Sequence, residues 1–390
     1  MIPRLFQPSM KRLLIAFLLR TNILWLALKS YKNPSNAVKA VRMLIKKREA
    51  FSGVHGIPRF FYANKRFFLN PNIPGFPSLS FNKFIVNELN SSLPFQKGHS
   101  RLTTLFFSIT KKCPLRCEHC LEWERLESKD LLSVEDLKTI LKKFQDYGIS
   151  QVQFSGGEPM ARLEDLLTLI KDTDRNTDTW LLTSGYNLTF RNAVKLKNAG
   201  LTGVRISIDH WESQKHNEFR GHQKAFTWAV EAAENCRKAG LATGLAVCVV
   251  KDFLSDAFFL NYLKLARSLK ASFILLLEPR ETGHFKNRNV ILPDESIRNL
   301  ENFYLKVCSS PEYEKYPLVF FPGYHQRRIG CFGAGVRYLY IDSEGSVHAC
   351  PFCQEKMGDS LKDDLDLMIP VIRQRGCPVF SNPVFTPAEA

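Results

Sequence analysis

From residue 105 to residue 277 short apolar runs alternate with longer stretches that are apolar at helical spacing. The runs 105–109, 151–154, 179–182, 203–208, 242–250 and 273–277 have the length and β-branched content of buried strands. The stretches 134–147, 163–173, 190–199, 223–239 and 255–269 have the periodicity of amphipathic helices. Helix starts and stops are marked. Ser133-Val-Glu-Asp136 forms a capping box with Asp in place of the usual Glu, and Gly148, Gly200 and Gly240 stand where C-terminal stops belong. Strict alternation predicts an α/β fold of parallel strands joined by right-handed crossovers. In a barrel of that kind, reactive groups gather at the C-terminal ends of the strands.

The first hundred residues follow a different pattern. Residues 13–28 are strongly apolar but broken by Arg20, Thr21 and Asn22, whereas a membrane span needs about 20 apolar residues with few charges. No small-residue cleavage site follows, which argues against a signal peptide. Residues 36–50 place Val38, Val41 and Ile45 on one helical face and Lys39, Arg42 and Lys46 on a neighbouring one. Residues 51–100, rich in aromatics, Asn and Pro, read as short strands and turns. Charge sharpens the contrast. The first hundred residues hold 16 Lys and Arg against two acids, Glu49 and Glu88, so they carry +14 of the chain's net +16. Three readings stay open: helices packed on a catalytic body, an interfacial segment on anionic lipid, or an arm for nucleic acid, the last being the weakest. With 390 residues and 45% hydrophobic content, the chain can bury a large core, as one main domain with appendages. No repeat or low-complexity tract interrupts it.

The candidate chemistry begins after the first strand. Cys113, Cys117 and Cys120 follow a C-x3-C-x2-C spacing, and Gly156-Gly157-Glu158-Pro159 follows the second strand. A cubane of four irons takes four thiolates, so three clustered cysteines leave one iron open to a small molecule. The alternative, a structural zinc, wants four ligands, and His119, adjacent to Cys120, is awkwardly directed for the fourth. A disulfide framework suits neither the chain's size nor the missing secretory signal.

Taken together, the cysteine triplet and the Gly-Gly-Glu-Pro stretch resemble the radical S-adenosylmethionine superfamily over residues 103–280. The resemblance implies a partial (β/α)6 TIM-like barrel with a [4Fe-4S] cluster, S-adenosylmethionine chelated to the open iron, and a 5′-deoxyadenosyl radical that abstracts hydrogen from substrate. It implies that Gly156, Gly157 and Glu158 receive the methionine amino group, with Pro159 stiffening the exit. Ser184 at the third strand end is placed to meet the ribose, Ser207 and Asp209 end the fourth, and Arg220 is expected to pair with the cofactor carboxylate. His119 stands where the family usually has an aromatic residue.

A second set of cysteines closes the chain. Residues 338–341 and 346–349 alternate like hairpin strands around 342–345. The pattern Cys331, Gly345, Cys350 is similar to the opening of SPASM and twitch extensions, which hold auxiliary clusters. Full SPASM domains carry seven cysteines. Here Cys331, Cys350, Cys353 and Cys377 match one auxiliary [4Fe-4S] cluster, in a small twitch/SPASM-like module, with a four-cysteine zinc site as the alternative. The expected organisation is a basic N-terminal extension over 1–100, a core over 101–285, a connection over 286–330 and the cysteine module over 331–390. Glu278, Arg280 and His284 leave the sixth strand as candidate catalytic groups. The resemblance implies a peptide or protein substrate, with a lipid or other small molecule as the second reading, and an electron donor such as flavodoxin or ferredoxin. It places the protein in the cytoplasm, with a peripheral anionic-membrane contact through residues 1–50 as an added expectation. A scaffold with a dead cofactor site is disfavoured, because the cysteine triplet and residues 156–159 are intact.

Overall fold

A computed structural model of the chain describes residues 10–52, 59–96 and 102–380. The expected boundary at 100/101 and the two chain ends lie outside the described residues. The chain opens with α1 (Met10–Ser30), α2 (Pro34–Ser52), a hairpin of β1 (Phe61–Ala63) and β2 (Arg66–Phe68), and α3 (Leu79–Ser92). The core follows as β3 (Thr104–Ser108), α4 (Val134–Tyr147), β4 (Gln151–Ser155), α5 (Leu163–Lys171), β5 (Asp178–Thr183), α6 (Phe190–Ala199), β6 (Gly203–Ser207), α7 (Ser213–Arg220), α8 (Ala225–Lys238), β7 (Ala242–Cys248), α9 (Asp256–Ser268) and β8 (Phe273–Leu277). The rest is α10 (Asp294–Ser309), β9 (Leu318–Phe320), α11 (Pro322–Ile329), β10 (Tyr338–Ile341), β11 (Ser346–His348), β12 (Gly358–Asp359) and α12 (Leu365–Arg375).

The six expected core strands pair in chain order, all parallel, within an open sheet of ten strands. Alternate residues of each strand point outward into the helix layer: Leu105, Phe107, Val152, Phe154, Val204 and Ile206 are at most 1% exposed. The capping box at Ser133 and Asp136 is formed, and Gly148 and Gly200 close their helices in the left-handed conformation.

Several expectations need correction. Residues 51–100 are not only strands and turns. Ser78 caps α3 by accepting a hydrogen bond from the Phe81 amide, and Phe81, Phe84, Ile85 and Leu89 bury one face against Leu26, Ala27 and Ala37. The stretch 223–239 begins later, as α8, after a separate α7 over Ser213–Arg220 that is not among the expected helices. The connecting stretch 286–330 is built of helices and a strand, β9, which extends the parallel sheet beside β8. The C-terminal hairpin is present, but β10 also pairs in parallel with β3, so the cysteine-bearing segment continues the barrel sheet.

The N-terminal extension also closes the barrel floor. Phe61 and Phe68 stack at 4.8 Å and meet Trp180 and Phe273, inward residues at the N-terminal ends of β5 and β8. Burying each such ring is worth about 1.5–3 kcal/mol. Asn72 and the Pro71 carbonyl accept hydrogen bonds from Gln153 and Gln151 at 3.0 Å, and Arg66 pairs with buried Asp178 at 2.7 Å. Glu88, one of the two acids of this region, is buried in α3 and binds Arg337 with both oxygens. Part of the basic extension is thus bound into the catalytic body.

Candidate active site

The cluster loop is pinned from three sides. The amides of Arg116 and Glu118 donate to the carbonyls of Arg220 and Phe219, at the end of α7. The amides of Gly157 and Glu158 donate to the carbonyls of Thr110 and Lys112 at 2.8 and 2.7 Å, so the Gly-Gly stretch lies along the segment between β3 and Cys113. A β-carbon at Gly156 would stand 2.6 Å from the Thr110 carbonyl oxygen, and one at Gly157 2.5 Å from that of Lys112. Only glycine permits this approach, and Gly156 also takes positive φ. On the third side, the His284 amide donates to the Cys120 carbonyl at 2.9 Å, and its ring stacks on Trp123 at 3.6 Å.

Glu158 does not present a free carboxylate. It is 1% exposed and accepts from the Met160 amide, the Thr183 hydroxyl, and the Ser184 amide and hydroxyl, at 3.0, 2.8, 2.8 and 2.6 Å. Those four bonds use the acceptor capacity of a carboxylate. Burial pushes its pKa up against these bonds. Glu158 therefore ties the end of β4 to the end of β5, and an ammonium expected there would share the carboxylate with these four donors. Pro159 begins a short 3₁₀ turn and is buried.

Asp209, fully buried, accepts from Arg220 Nε at 2.6 Å and from the Cys248 amide at 2.9 Å. Burial pushes its pKa up, but the Arg220 guanidinium prevails and holds it below the usual carboxylate range. Arg220 Nη1 approaches Cys117 Sγ at 3.6 Å. Burial raises the pKa of the Cys113 thiol to about 12, and it also pushes the Cys117 thiol above its ordinary value. The thiolates that iron requires therefore form on metal binding with proton release, and the guanidinium beside Cys117 favours that charge.

One cavity of about 990 Å³ is lined by Cys113, Cys117 and Cys120, and also by Cys331, Cys350, Cys353 and Cys377. Gly156, Gly157, Glu158, Ser184, Ser207, Asp209 and Arg220 line it too. The structure thus brings the two cysteine sets and the strand-end residues into one space. The four later cysteines form two close pairs. Cys350 and Cys353 sulfurs are 3.3 Å apart, and a hydrogen bond between them pushes the first thiol up and the second down. The same relation raises Cys331 and lowers Cys377 to about 5, with the Arg280 charge acting in the same direction on Cys377. Among the described residues no three His, Cys, Asp or Glu side chains converge on a single-ion site.

The three candidates after β8 divide. Glu278 lines the cavity but is held between Arg327 at 2.5 Å and Arg280 at 3.2 Å. Arg280 lines the cavity; His284 does not. Its ring bonds the Cys117 carbonyl and Arg288, which makes it a brace of the cluster loop. Sequence reasoning missed Glu122 and Tyr340, which line the cavity and bond each other, joining the segment after Cys120 to β10 of the C-terminal hairpin. It also missed Arg205, whose signal was a charge midway along an apolar strand.

A partial parallel barrel with a three-cysteine loop beyond its first strand and a glycine pair beyond its second defines a class of enzyme. Residues 107–261 match the family model of the radical SAM superfamily. This stretch is a radical SAM domain, and such domains use a [4Fe-4S] cluster and S-adenosylmethionine for radical enzyme chemistry. It is 27% identical over 297 residues to AdoMet-dependent heme synthase of Oleidesulfovibrio alaskensis, covering 70% of this chain and 75% of the relative. It is also 27% identical over 263 residues to GTP 3′,8-cyclase of Aliarcobacter butzleri, covering 64% and 80%. Among solved structures the fold is shared with Streptococcus suis SuiB bound to the precursor peptide SuiA, at TM-score 0.58, 15% identity and coverage of 90% and 81%. It is shared as well with native anSMEcpe with bound AdoMet, at TM-score 0.55, 17% identity and coverage of 72% and 84%.

Proposed function

We propose that this enzyme modifies a peptide or protein substrate by hydrogen abstraction, with an auxiliary cluster beside the catalytic one. The observation that carries this reading is the single cavity lined by both cysteine sets. Its size, about 990 Å³, is at the upper end of small-ligand sites and leaves room for a substrate residue beside the cofactor. Cys113, Cys117 and Cys120 hold the cluster, which with S-adenosylmethionine supplies the 5′-deoxyadenosyl radical. The Gly156–Gly157 backbone admits the methionine end, Glu158 positions Ser184, Ser207 faces the cofactor, and Asp209 orients Arg220 toward a carboxylate. Cys331, Cys350, Cys353 and Cys377 hold the auxiliary cluster, in a module over 331–390 that shares the barrel sheet. Glu278 and Arg280 order the rim. SuiB, which shares the fold, is described with a precursor peptide, in keeping with a peptide substrate. The reductant is a flavodoxin or ferredoxin. The experiment is mass spectrometry of the anaerobically reconstituted enzyme with S-adenosylmethionine, a reductant and peptides encoded beside its gene. A mass change that requires Cys113 supports the reading, and unmodified peptides alongside a modified small molecule reject it.

A second reading, radical modification of a lipid or other small molecule at a membrane surface, is favoured by α1. Leu14, Phe17, Leu18, Trp25 and Leu28 form one stripe on this helix, all between 47% and 62% exposed. The helix is long and apolar enough to cross a membrane, with a mean hydropathy of 1.5, but Arg20 is exposed near its middle. With Lys32, Lys39, Arg42 and Lys46 exposed nearby in sequence, the stripe suits peripheral binding of a cytoplasmic enzyme to anionic lipid. The two curated relatives, named for heme synthesis and GTP cyclisation, keep a small-molecule substrate in view.

A further inference from the structure

Inside the barrel one cation has no counter-charge among the described residues. Arg205 occupies the middle inward position of β6, one inward step below Ser207. It is 6% exposed and lines the catalytic cavity. Its side chain donates from Nη2 to the amide oxygen of Gln153 on the neighbouring wall. Gln153 is fixed in turn, since its own amide donates to Asn72 at 3.0 Å and to Gln151 at 2.8 Å. This chain of amides runs to the floor and sets the guanidinium in one orientation. The other cations lining the cavity are partnered: Arg220 by Asp209, Arg280 by Glu278, Arg375 by Glu355. Burial alone lowers the Arg205 pKa, to about 10, with no carboxylate acting on it among the described residues. At neutral pH the group stays charged. An isolated buried charge is expensive unless something pairs with it.

We propose that Arg205 is a specificity residue that receives a carboxylate of the substrate within the barrel. The assignment rests on reading this cavity as the radical enzyme's substrate site. Beside Arg205 in the strand register stand Leu182 and Gly244, and the Phe273 ring fills the place a side chain at Gly244 would take, so the group beyond the charge is met by apolar wall. One planar guanidinium presents parallel N–H donors that match one carboxylate, while a doubly charged phosphate buried here would lack a second cation. An acidic side chain of a peptide, or a small carboxylic acid, satisfies the site; an amide does not.

The test uses the full chain, anaerobically reconstituted and loaded with S-adenosylmethionine, with thermal midpoint and titration calorimetry as readouts. The probes are glutarate, acetyl-Gly-Glu-Gly-amide, its Gln counterpart and inorganic phosphate. Glutarate or the Glu peptide is expected to raise the midpoint of the wild type, and the Gln peptide and phosphate to leave it in place. A response to glutarate alone identifies a small acid, and a response to the Glu peptide a peptide substrate. R205K should weaken carboxylate binding about tenfold or more, since it keeps the charge and loses the fork. R205M should lose the response while its own ligand-free midpoint stays at or above that of the wild type, because an unpaired buried charge has been removed. A merely structural arginine predicts a lowered midpoint instead. The proposal is overturned by a wild type that ignores both carboxylates, by equal responses to the Glu and Gln peptides, by a response to phosphate alone, or by an unchanged response in R205K. Formation of 5′-deoxyadenosine by the wild type, assayed in parallel, tests the radical chemistry separately, so the two can fail independently.

Discussion

Replacing Asp209 by Asn should destabilise the protein severely, while replacing Asp209 and Arg220 together by apolar residues should cost less. Asp209 is fully buried and carries two hydrogen bonds, from Arg220 Nε at 2.6 Å and from the Cys248 amide at 2.9 Å. In Asp209→Asn the carbonyl of the amide can keep one donor, but its NH₂ then faces the other. Arg220, 8% exposed, is left with the Cys117 sulfur as its remaining side-chain partner among the described residues. Breaking one side of a buried ion pair costs about 3–5 kcal/mol, whereas exchanging both charges for apolar groups is often neutral or better. At about 2 °C per kcal/mol for a chain of this size, the single change should lower the midpoint by about 6–10 °C. The assay is thermal unfolding of anaerobically purified Asp209→Asn, Arg220→Met and Asp209→Leu/Arg220→Met, scanned at one rate and one protein concentration. A single Asp209→Asn loss of about 1 °C, or a double variant no more stable than Asp209→Asn, would refute the reasoning that the charge pair, and not packing alone, holds the end of α7 to the end of β6.

Three further outcomes are expected. Replacing Cys113, Cys117 and Cys120 together by Ala should abolish 5′-deoxyadenosine formation, read by chromatography after reductant and S-adenosylmethionine are added; undiminished product refutes the cluster assignment. Glu158→Gln directs an NH₂ at donors already present, so it should cost about 1–3 kcal/mol and raise the apparent KM for S-adenosylmethionine by loosening Ser184; a variant matching wild type in both midpoint and KM contradicts the positioning role. The full chain should float with anionic liposomes at low salt and release as salt rises, because the exposed stripe of α1 is accompanied by basic residues; no flotation, or equal flotation after removal of residues 1–50, ends the membrane reading.

What was legible in the sequence was local. The β3–β8 strands, the Ser133 capping box and the stops at Gly148 and Gly200 follow from periodicity and turn chemistry, and element ends shifted by a few residues where helices fray. The cysteine loop and the Gly156–Gly157 pair were legible because their spacing is short, but the reason for glycine was not. It lies in the Thr110 and Lys112 carbonyls, more than forty residues earlier in the chain. Glu158 was read as a free carboxylate because its donors come from Thr183 and Ser184 on the next strand. Helix α3 was hidden by the aromatics and prolines before it, although Phe81, Phe84, Ile85 and Leu89 keep helical spacing. The floor made by Phe61 and Phe68, and the pairing of β10 with β3, are non-local and have no signature in either segment alone. Strand β9, three residues long, is too short to show a period.

The most direct test of a two-cluster cavity is the metal content of anaerobically purified protein. Iron, sulfide and zinc are measured per chain in the wild type and in the Cys113/Cys117/Cys120 triple Ala variant. Two cubanes predict about eight irons in the wild type and about four in the variant, held by Cys331, Cys350, Cys353 and Cys377, with no stoichiometric zinc. About four irons and one zinc in the wild type, falling to zinc alone in the variant, would contradict the account and make the C-terminal cysteines a structural zinc site.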